Sequence, residues 1–465
     1  MKPESAAIAR ADAQALDAAD PLAALREQFE LPPDLVYLDG NSLGALPRAT
    51  AQRMHEVVAR EWGEGLIRSW NASEDAAGWI GLPQRIAAKL APLIGAAAED
   101  VMVGDSTSVN LYKALAAALA IARSDAPQRR VIVTERGNFP TDRYIADSLA
   151  RQHGCELRSV EADGIAAALD EHIAVLLLTH VDYRSGRLHD MAALSTAAHR
   201  AGALAVWDLA HSAGAVPLEL MQADADFAVG CGYKYLNGGP GAPAFLWAHP
   251  RHSARMDRDG LRQPLAGWFG HAAPFDFDPV YRPAAGIARF ACGTPAVLSM
   301  AALECGLDIF EAARSLGGMA ALRVKSMALT SLFIDRVEAR CQGLGLSLAS
   351  PVDPQQRGSQ ASFAHADAYP VMQALIERGV IGDYRAGHMA PPAPGTAPPP
   401  EGVRAGLGRP GARPAAADAP HLLRFGFTPL YTRFVDAWDA AEALAQVLES
   451  KAWQAPRFSH RAAVT

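Results

Sequence analysis

Between residues 101 and 232, short apolar segments alternate with capped or alanine-rich ones, and this alternation narrows the fold more than any other feature of the chain. VMVGD (101–105), RRVIVTE (129–135), HIAVLLLTHV (172–181), ALAVWDL (203–209) and ADFAVGCG (225–232) have the length and β-branched content of buried strands. STSVNLYKALAAALA (106–120), NFPTDRYIADSLARQHG (138–154) and DMAALSTAAHRAG (190–202) read as the helices between them. Ser/Thr caps open the first, and Pro140 and Asp142 suit the first turn of the second. Strands joined by helices predict an α/β domain on a largely parallel sheet, with ligands near the carboxyl ends of the strands.

The flanks have a different texture. Residues 9–29 are expected to form one helix ending before Leu31, Pro32 and Pro33, and VYLDGNSLGALP (36–47) a short strand with a glycine-rich turn. Residues 296–344 are strongly helical, 344–350 are a strand candidate, and 366–378 resemble the strand-facing helix of a smaller α+β domain. The stretch 387–420 is rich in Ala, Pro and Gly, giving little to bury, so a mobile loop is expected there. The segment beginning LLRFGFTPLY is expected to be a turn followed by a long helix. The expected division is 1–48 as an N-terminal segment reaching the small domain and the active-site entrance, 49–295 as the large domain, and 296–465 as the small one.

With 465 residues, half of them apolar, the chain can bury a sizeable core without disulfides. A formal charge of −7 and a pI near 6.1 give no whole-protein reason to expect nucleic-acid binding. No uncharged apolar stretch is long enough for a membrane span and the opening residues are too polar for a signal peptide, so a cytoplasmic protein is expected. Cys155, Cys231, Cys292, Cys305 and Cys341 include no close pair, and His180, His189 and His271 lie on separate segments, so neither a disulfide framework nor a metal site is expected.

Three places carry chemistry. Thr107 and Ser108 stand at a strand-to-helix junction where free amides and hydroxyls could take a phosphate, although taken alone they read first as a plain helix cap. Asp208 ends a strand, with His211 three residues on. Lys234 follows another strand in GYKYLNGGPG, between two tyrosines; a surface lysine is the competing reading. An aldehyde cofactor makes the set coherent: Lys234 forming a Schiff base with pyridoxal phosphate, Asp208 keeping the pyridine nitrogen protonated, and the helix near Ser108 holding the phosphate.

On these residues, together with YLDGNSLG (37–44), GEGLIRSW (63–70), NFPTDRY (138–144), THVDYRSGRLHD (179–190), GWFG (267–270), FACGTP (290–295) and LRFGFTPLY (423–431), the sequence resembles the kynureninases. These are class V pyridoxal-phosphate enzymes of the aspartate aminotransferase fold type, fold type I. Cysteine desulfurases and other relatives share the lysine and the Asp-x-x-His; GNSLG, FPTD and RFGFTPLY point more narrowly. The resemblance implies a homodimer with active sites at the subunit interface, and hydrolysis of L-kynurenine to anthranilate and L-alanine through aldimine and ketimine intermediates, with 3-hydroxykynurenine as a further substrate. It implies roles as well. Lys234 would carry the cofactor, Tyr233 would reach its phosphate and move protons, and Phe139 would stack on its ring. Asp142 and Asp208 would form the polar surround, Asp208 facing the ring nitrogen, and His211, Thr107, Ser108 and Thr179 would line the site. Trp268 and Thr294 would come from the partner subunit, and Arg424 would grip the substrate α-carboxylate. A desulfurase would need a cysteine on a mobile loop, and 387–420 contains none. An aminotransferase remains the broader alternative. In the resemblance the 387–420 tract is an insertion between GDYR and LRFGFTPLY.

Overall fold

The computed structural model describes residues 8–73, 77–387 and 420–460. Its larger sheet has seven strands: β1 (Val101–Val103), β2 (Val131–Glu135), β3 (Glu156–Val160), β4 (Ile173–Thr179), β5 (Leu204–Asp208), β6 (Phe227–Cys231) and β7 (Ala244–Ala248). In space they run β1-β7-β6-β5-β4-β2-β3. Only β7 is antiparallel to its neighbours; β3, β2, β4, β5 and β6 pair in parallel. The expected α/β architecture is present.

Every residue of β4 is buried, because both faces of the sheet are covered. Val175 and Leu177 point into a core with Leu111, Leu115 and Ile121 of helix Thr107–Asp125. Leu176 and Leu178 point the other way, into a core with Ile86 and Leu90 of helix Leu82–Leu90 and with Leu303 and Phe310 of helix Val297–Arg314. Two strands were not expected from the sequence. Edge strand β3 is half-exposed and carries Glu156 and Arg158, so it lacks an apolar run; β7 lies beyond the alternating region and closes the sheet by reversing direction.

A second sheet holds β8 (Ser347–Leu348), β9 (Gln360–Ala364), β10 (Asp383–Arg385) and β11 (Leu422–Gly426), in the order β8-β9-β11-β10 and all antiparallel. Helices Gly318–Arg340, Ala368–Glu377 and Phe434–Ser450 bury their apolar faces against it. The N-terminal segment joins this sheet's surroundings: Val36–Tyr37 pairs in parallel with Val380–Ile381, and Asp39 bridges to Gly426.

Two expectations need correction. Residues 9–29 do not form one helix: Arg10–Ala18 is helical, the chain breaks at Asp20–Pro21, and Ala23–Gln28 is a separate tight turn of helix. Asp20 explains the break, since its side chain accepts from Leu22 N at 2.9 Å and pairs with the buried Lys325 at 2.7 Å. Residues 296–344 are helical as expected, in two helices parted at Gly317, whose φ is 98°. Residues 422–426 are no turn but the fully buried strand β11, flanked by β9 and β10. The 387–420 tract lies outside the described residues apart from Gly387 and Pro420.

Among the described residues no helix is long and apolar enough to cross a membrane, and no group of three His, Cys, Asp or Glu is placed to hold a metal ion.

At the end of the large sheet remote from the lysine turn, Asp226 anchors two helices. It accepts from Ala205 N and His199 Nε2, each at 2.7 Å, and contacts Arg251 and His252. Burial alone would raise its pKa, but these donors outweigh that and hold it well below the usual carboxylate range. Such a group stabilises the fold above the ordinary aspartate range and loses that contribution as pH falls through its folded value. The same contact raises His199, whose contribution is present below the ordinary histidine range and lost as pH rises through its folded value. Asp226→Asn is therefore expected to cost about 3 kcal/mol of stability at neutral pH. Urea unfolding measures it, and an unchanged midpoint refutes it.

Candidate active site

Thr179 ends β4, Asp208 ends β5, and Lys234 follows β6 after a short turn, so the large sheet delivers all three to its carboxyl edge. Thr107, Ser108, Phe139, Asp142, His211 and Tyr233 join them around one cleft, with Thr141, Tyr183 and Ala210 completing its walls. The helix beside it is capped by Ser106, whose Oγ accepts from Val109 N at 3.3 Å. Thr107 and Ser108 are thus the first residues inside the helix rather than its cap, and both line the cleft. Phe139, 39% exposed, meets the Tyr183 ring edge-on with centroids 5.1 Å apart.

The lysine turn is shaped from outside. Gly44 N donates to Tyr233 O at 2.8 Å, and a Cβ on Gly44 would lie 2.3 Å from Lys234 O. The last glycine of GNSLG therefore lets the N-terminal segment press against the backbone that carries Lys234.

Lys234 Nζ lies 2.9 Å from His211 Nε2. Burial lowers the lysine pKa, and the nearby guanidiniums of Arg424 and Arg385 push the same way; burial and Lys234 hold His211 well below its usual value. An amine whose pKa is lowered, beside an imidazole held well below its usual value, is suited to attack on a carbonyl. Asp142 and Asp208 are buried side by side. Burial raises both, and repulsion from Asp208 drives Asp142 further, so Asp142 holds a proton and bonds to Asp208. Thr179 Oγ1 is 3.2 Å from Asp142 Oδ2, and Ala210 N donates to Asp208 Oδ1 at 2.7 Å. No cation touches either carboxylate among the described residues. Tyr233 stays protonated because burial, then Cys231 and Asp208, raise it well above the usual phenol range.

These features fit pyridoxal phosphate. A cleft amine with a lowered pKa suits an aldehyde, a carboxylate pair without a cation suits a protonated ring nitrogen, and a helix start with two hydroxyls suits a phosphate.

Other expected residues lie elsewhere. Arg424, on β11, is fully buried and bonds to Tyr183 O, Ser42 Oγ and Asp383. Trp268 packs on Phe269, Phe275 and Phe277 at the surface, and Thr294 lines a separate apolar cleft with Phe269 and Cys292; neither reaches the lysine cleft of its own chain. Asn41, Ser42, Asp383 and Arg385 surround Arg424 without having been expected there. The quoted GNSLG and GDYR segments contain them, which was the available signal.

Comparison with known proteins settles the family. The kynureninase of Burkholderia mallei is 53% identical over 460 residues, covering 98% of this chain and 99% of that protein. The chain belongs to the kynureninase family. The kynureninase of Pseudomonas fluorescens is 49% identical over 459 residues, again with 98% and 99% coverage, and the model of the kynureninase C-terminal domain matches residues 322–406. Among solved structures, cysteine desulfurases from Thermococcus onnurineus (TM-score 0.69, 18% identity) and Escherichia coli (TM-score 0.70, 20% identity) each cover 92% of this chain and 98% of their own. At that identity they establish the fold type alone. What separates the kynureninase family from them lies in sequence.

Proposed function

We propose that this protein hydrolyses the Cβ–Cγ bond of L-kynurenine, giving anthranilate and L-alanine with uptake of one water, as a step of tryptophan catabolism. Membership of the kynureninase family, at 53% identity along nearly the whole chain, carries this reading. Pyridoxal phosphate is the cofactor. Lys234 would hold its aldehyde carbon, Asp208 its ring nitrogen, Phe139 its face, and Thr107, Ser108 and Tyr233 its phosphate; when bound it supplies an electron sink for charge developing on the substrate's carbons.

The chain's own groups do the rest. Lys234 Nζ, its pKa lowered by burial, takes the proton from the substrate Cα. Arg424 orients the α-carboxylate. Asp142, holding its proton, leaves Asp208 as the single ionised carboxylate of the pair. Tyr233, whose phenol burial keeps protonated in the resting site, donates its proton to the alanine-forming fragment once the bond to the γ carbon has broken. Water adds to that γ carbonyl, which becomes the anthranilate carboxylate.

Tyr233→Phe is expected to lower kcat about 100-fold while the visible cofactor band persists. Unchanged turnover would remove Tyr233 from proton transfer.

The proposal also includes a homodimer in which Trp268 and Thr294 serve the partner's site, supported by their exclusion from their own cleft. A cytoplasmic location is supported by five free cysteines. The reaction is tested by recording absorbance of the purified holoenzyme before and after L-kynurenine, with anthranilate fluorescence and alanine measured together. One-to-one products support it. A cofactor band without products overturns it and directs the search to other amino acids, 3-hydroxykynurenine first.

A further inference from the structure

Arg424 is already heavily engaged by its own chain. Its side chain has 0% exposure. Nη1 donates to Tyr183 O at 2.7 Å, Nη2 to Ser42 Oγ at 2.7 Å and to Asp383 Oδ2, and the Asn41 side-chain oxygen accepts from Nε at 3.1 Å. A planar guanidinium has five N–H groups in all, so little of this one remains for a ligand.

Asp383 is shared with a second guanidinium. Arg385, two residues along β10, places Nη2 2.6 Å from Asp383 Oδ2 and Nη1 3.0 Å from Oδ1. Its side chain is 30% exposed, so it is the more open of the two, and its Nε is buried without a hydrogen-bond partner. It lies close enough to the lysine cleft for its charge to act on Lys234, His211 and Tyr233.

Charge balance supports the same point. Arg424 with Asp383 alone is a neutral pair, and an incoming carboxylate would meet repulsion from Asp383 as well as attraction from Arg424. Arg385 restores one net positive charge to the group. A second buried carboxyl, Asp39, is pushed up to about 7 by burial and by Asp383, so near neutral pH it cancels that charge only in part.

We propose that Arg385 is a second carboxylate-binding residue: the α-carboxylate of the amino-acid substrate is taken by the Arg424–Arg385 pair that Asp383 holds together, with Arg385 as its solvent-facing member. This rests on the reading above that the Arg424 side of the cleft receives the substrate carboxylate.

The test uses holoenzyme carrying Arg385→Gln, with Arg385→Lys and Arg424→Gln in parallel. Two ligands are compared: L-kynurenine and its decarboxylated amine, whose binding is followed by the shift of the visible band. For Arg385→Gln, KM for L-kynurenine is expected to rise about 10- to 100-fold, with the loss concentrated in KM rather than kcat. Binding of the decarboxylated amine should stay within about twofold of the parent. Arg385→Lys should recover part of the affinity, because it restores charge without the planar fork. An unmoved KM, or equal losses for both ligands, overturns the proposal. If Arg424→Gln alone raises KM, only the role of Arg385 fails. If neither substitution raises it, the carboxylate reading of this side of the cleft fails as well.

Discussion

Lys234→Ala is expected to abolish turnover of L-kynurenine, with kcat down on the order of 10⁴-fold or more, because on the proposed reading one substitution would remove both the covalent tether of the cofactor and the base for the Cα proton. The structure makes this amine hard to replace. It is partly buried just after β6, its Nζ lies 2.9 Å from His211 Nε2, and burial lowers its pKa. A lysine elsewhere on the surface would be charged and could not take the proton at neutral pH. The visible band of the purified protein should be lost or shifted with the covalent link. Thermal stability of the apoprotein should not fall, since a buried amine without a carboxylate partner contributes little to folding. Turnover within tenfold of the parent would refute the assignment of both roles to Lys234.

The parts of the site that could be read from sequence are those whose chemistry is local to one strand end. Asp208 and Lys234 each terminate or follow a run of buried residues, where an ionisable group is poorly explained by packing, and both stand at the carboxyl edge of the sheet. The surroundings of Arg424 could not be read in this way. Ser42 and Arg424 are hydrogen-bonded across 382 residues of chain, and Ser42 and Asp383 across 341. No periodicity spans such separations. The strand bearing Arg424 reads as a turn in the sequence for a related reason: LLRFG is short and interrupts its apolar residues with an arginine, and becomes a strand because β9 and β10, distant in sequence, close on both sides of it. Helix 9–29 failed through a side chain, since Asp20 prefers its contacts with Leu22 N and Lys325 to a helical backbone. Thr107 and Ser108 taken alone read as a helix cap, but Ser106 supplies that cap. Fold alone would have left the function open, because cysteine desulfurases share this architecture along nearly its whole length.

The paired carboxylates lead to a second large effect, and an unequal one. Asp142 and Asp208 are both buried and bonded to each other, which two ionised carboxylates cannot be. Asp142 is driven further up and holds the proton; Asp208, which accepts from Ala210 N and feels Lys234, carries the charge. An amide resembles a protonated carboxyl in shape and in its ability to donate. Asp142→Asn should therefore preserve the arrangement, with kcat within about tenfold of the parent. Asp208→Asn removes the only negative charge offered to the ring nitrogen and should lower kcat about 10²- to 10³-fold, the scale of losing one preorganised electrostatic partner in a buried site. The cofactor band should move in Asp208→Asn and hold its position in Asp142→Asn, which separates a change in ring protonation from a general loosening of the cleft. Equal losses in the two variants would show that the proton is not localised on Asp142. A larger loss in Asp142→Asn would reverse the assignment and make Asp142 the ionised partner.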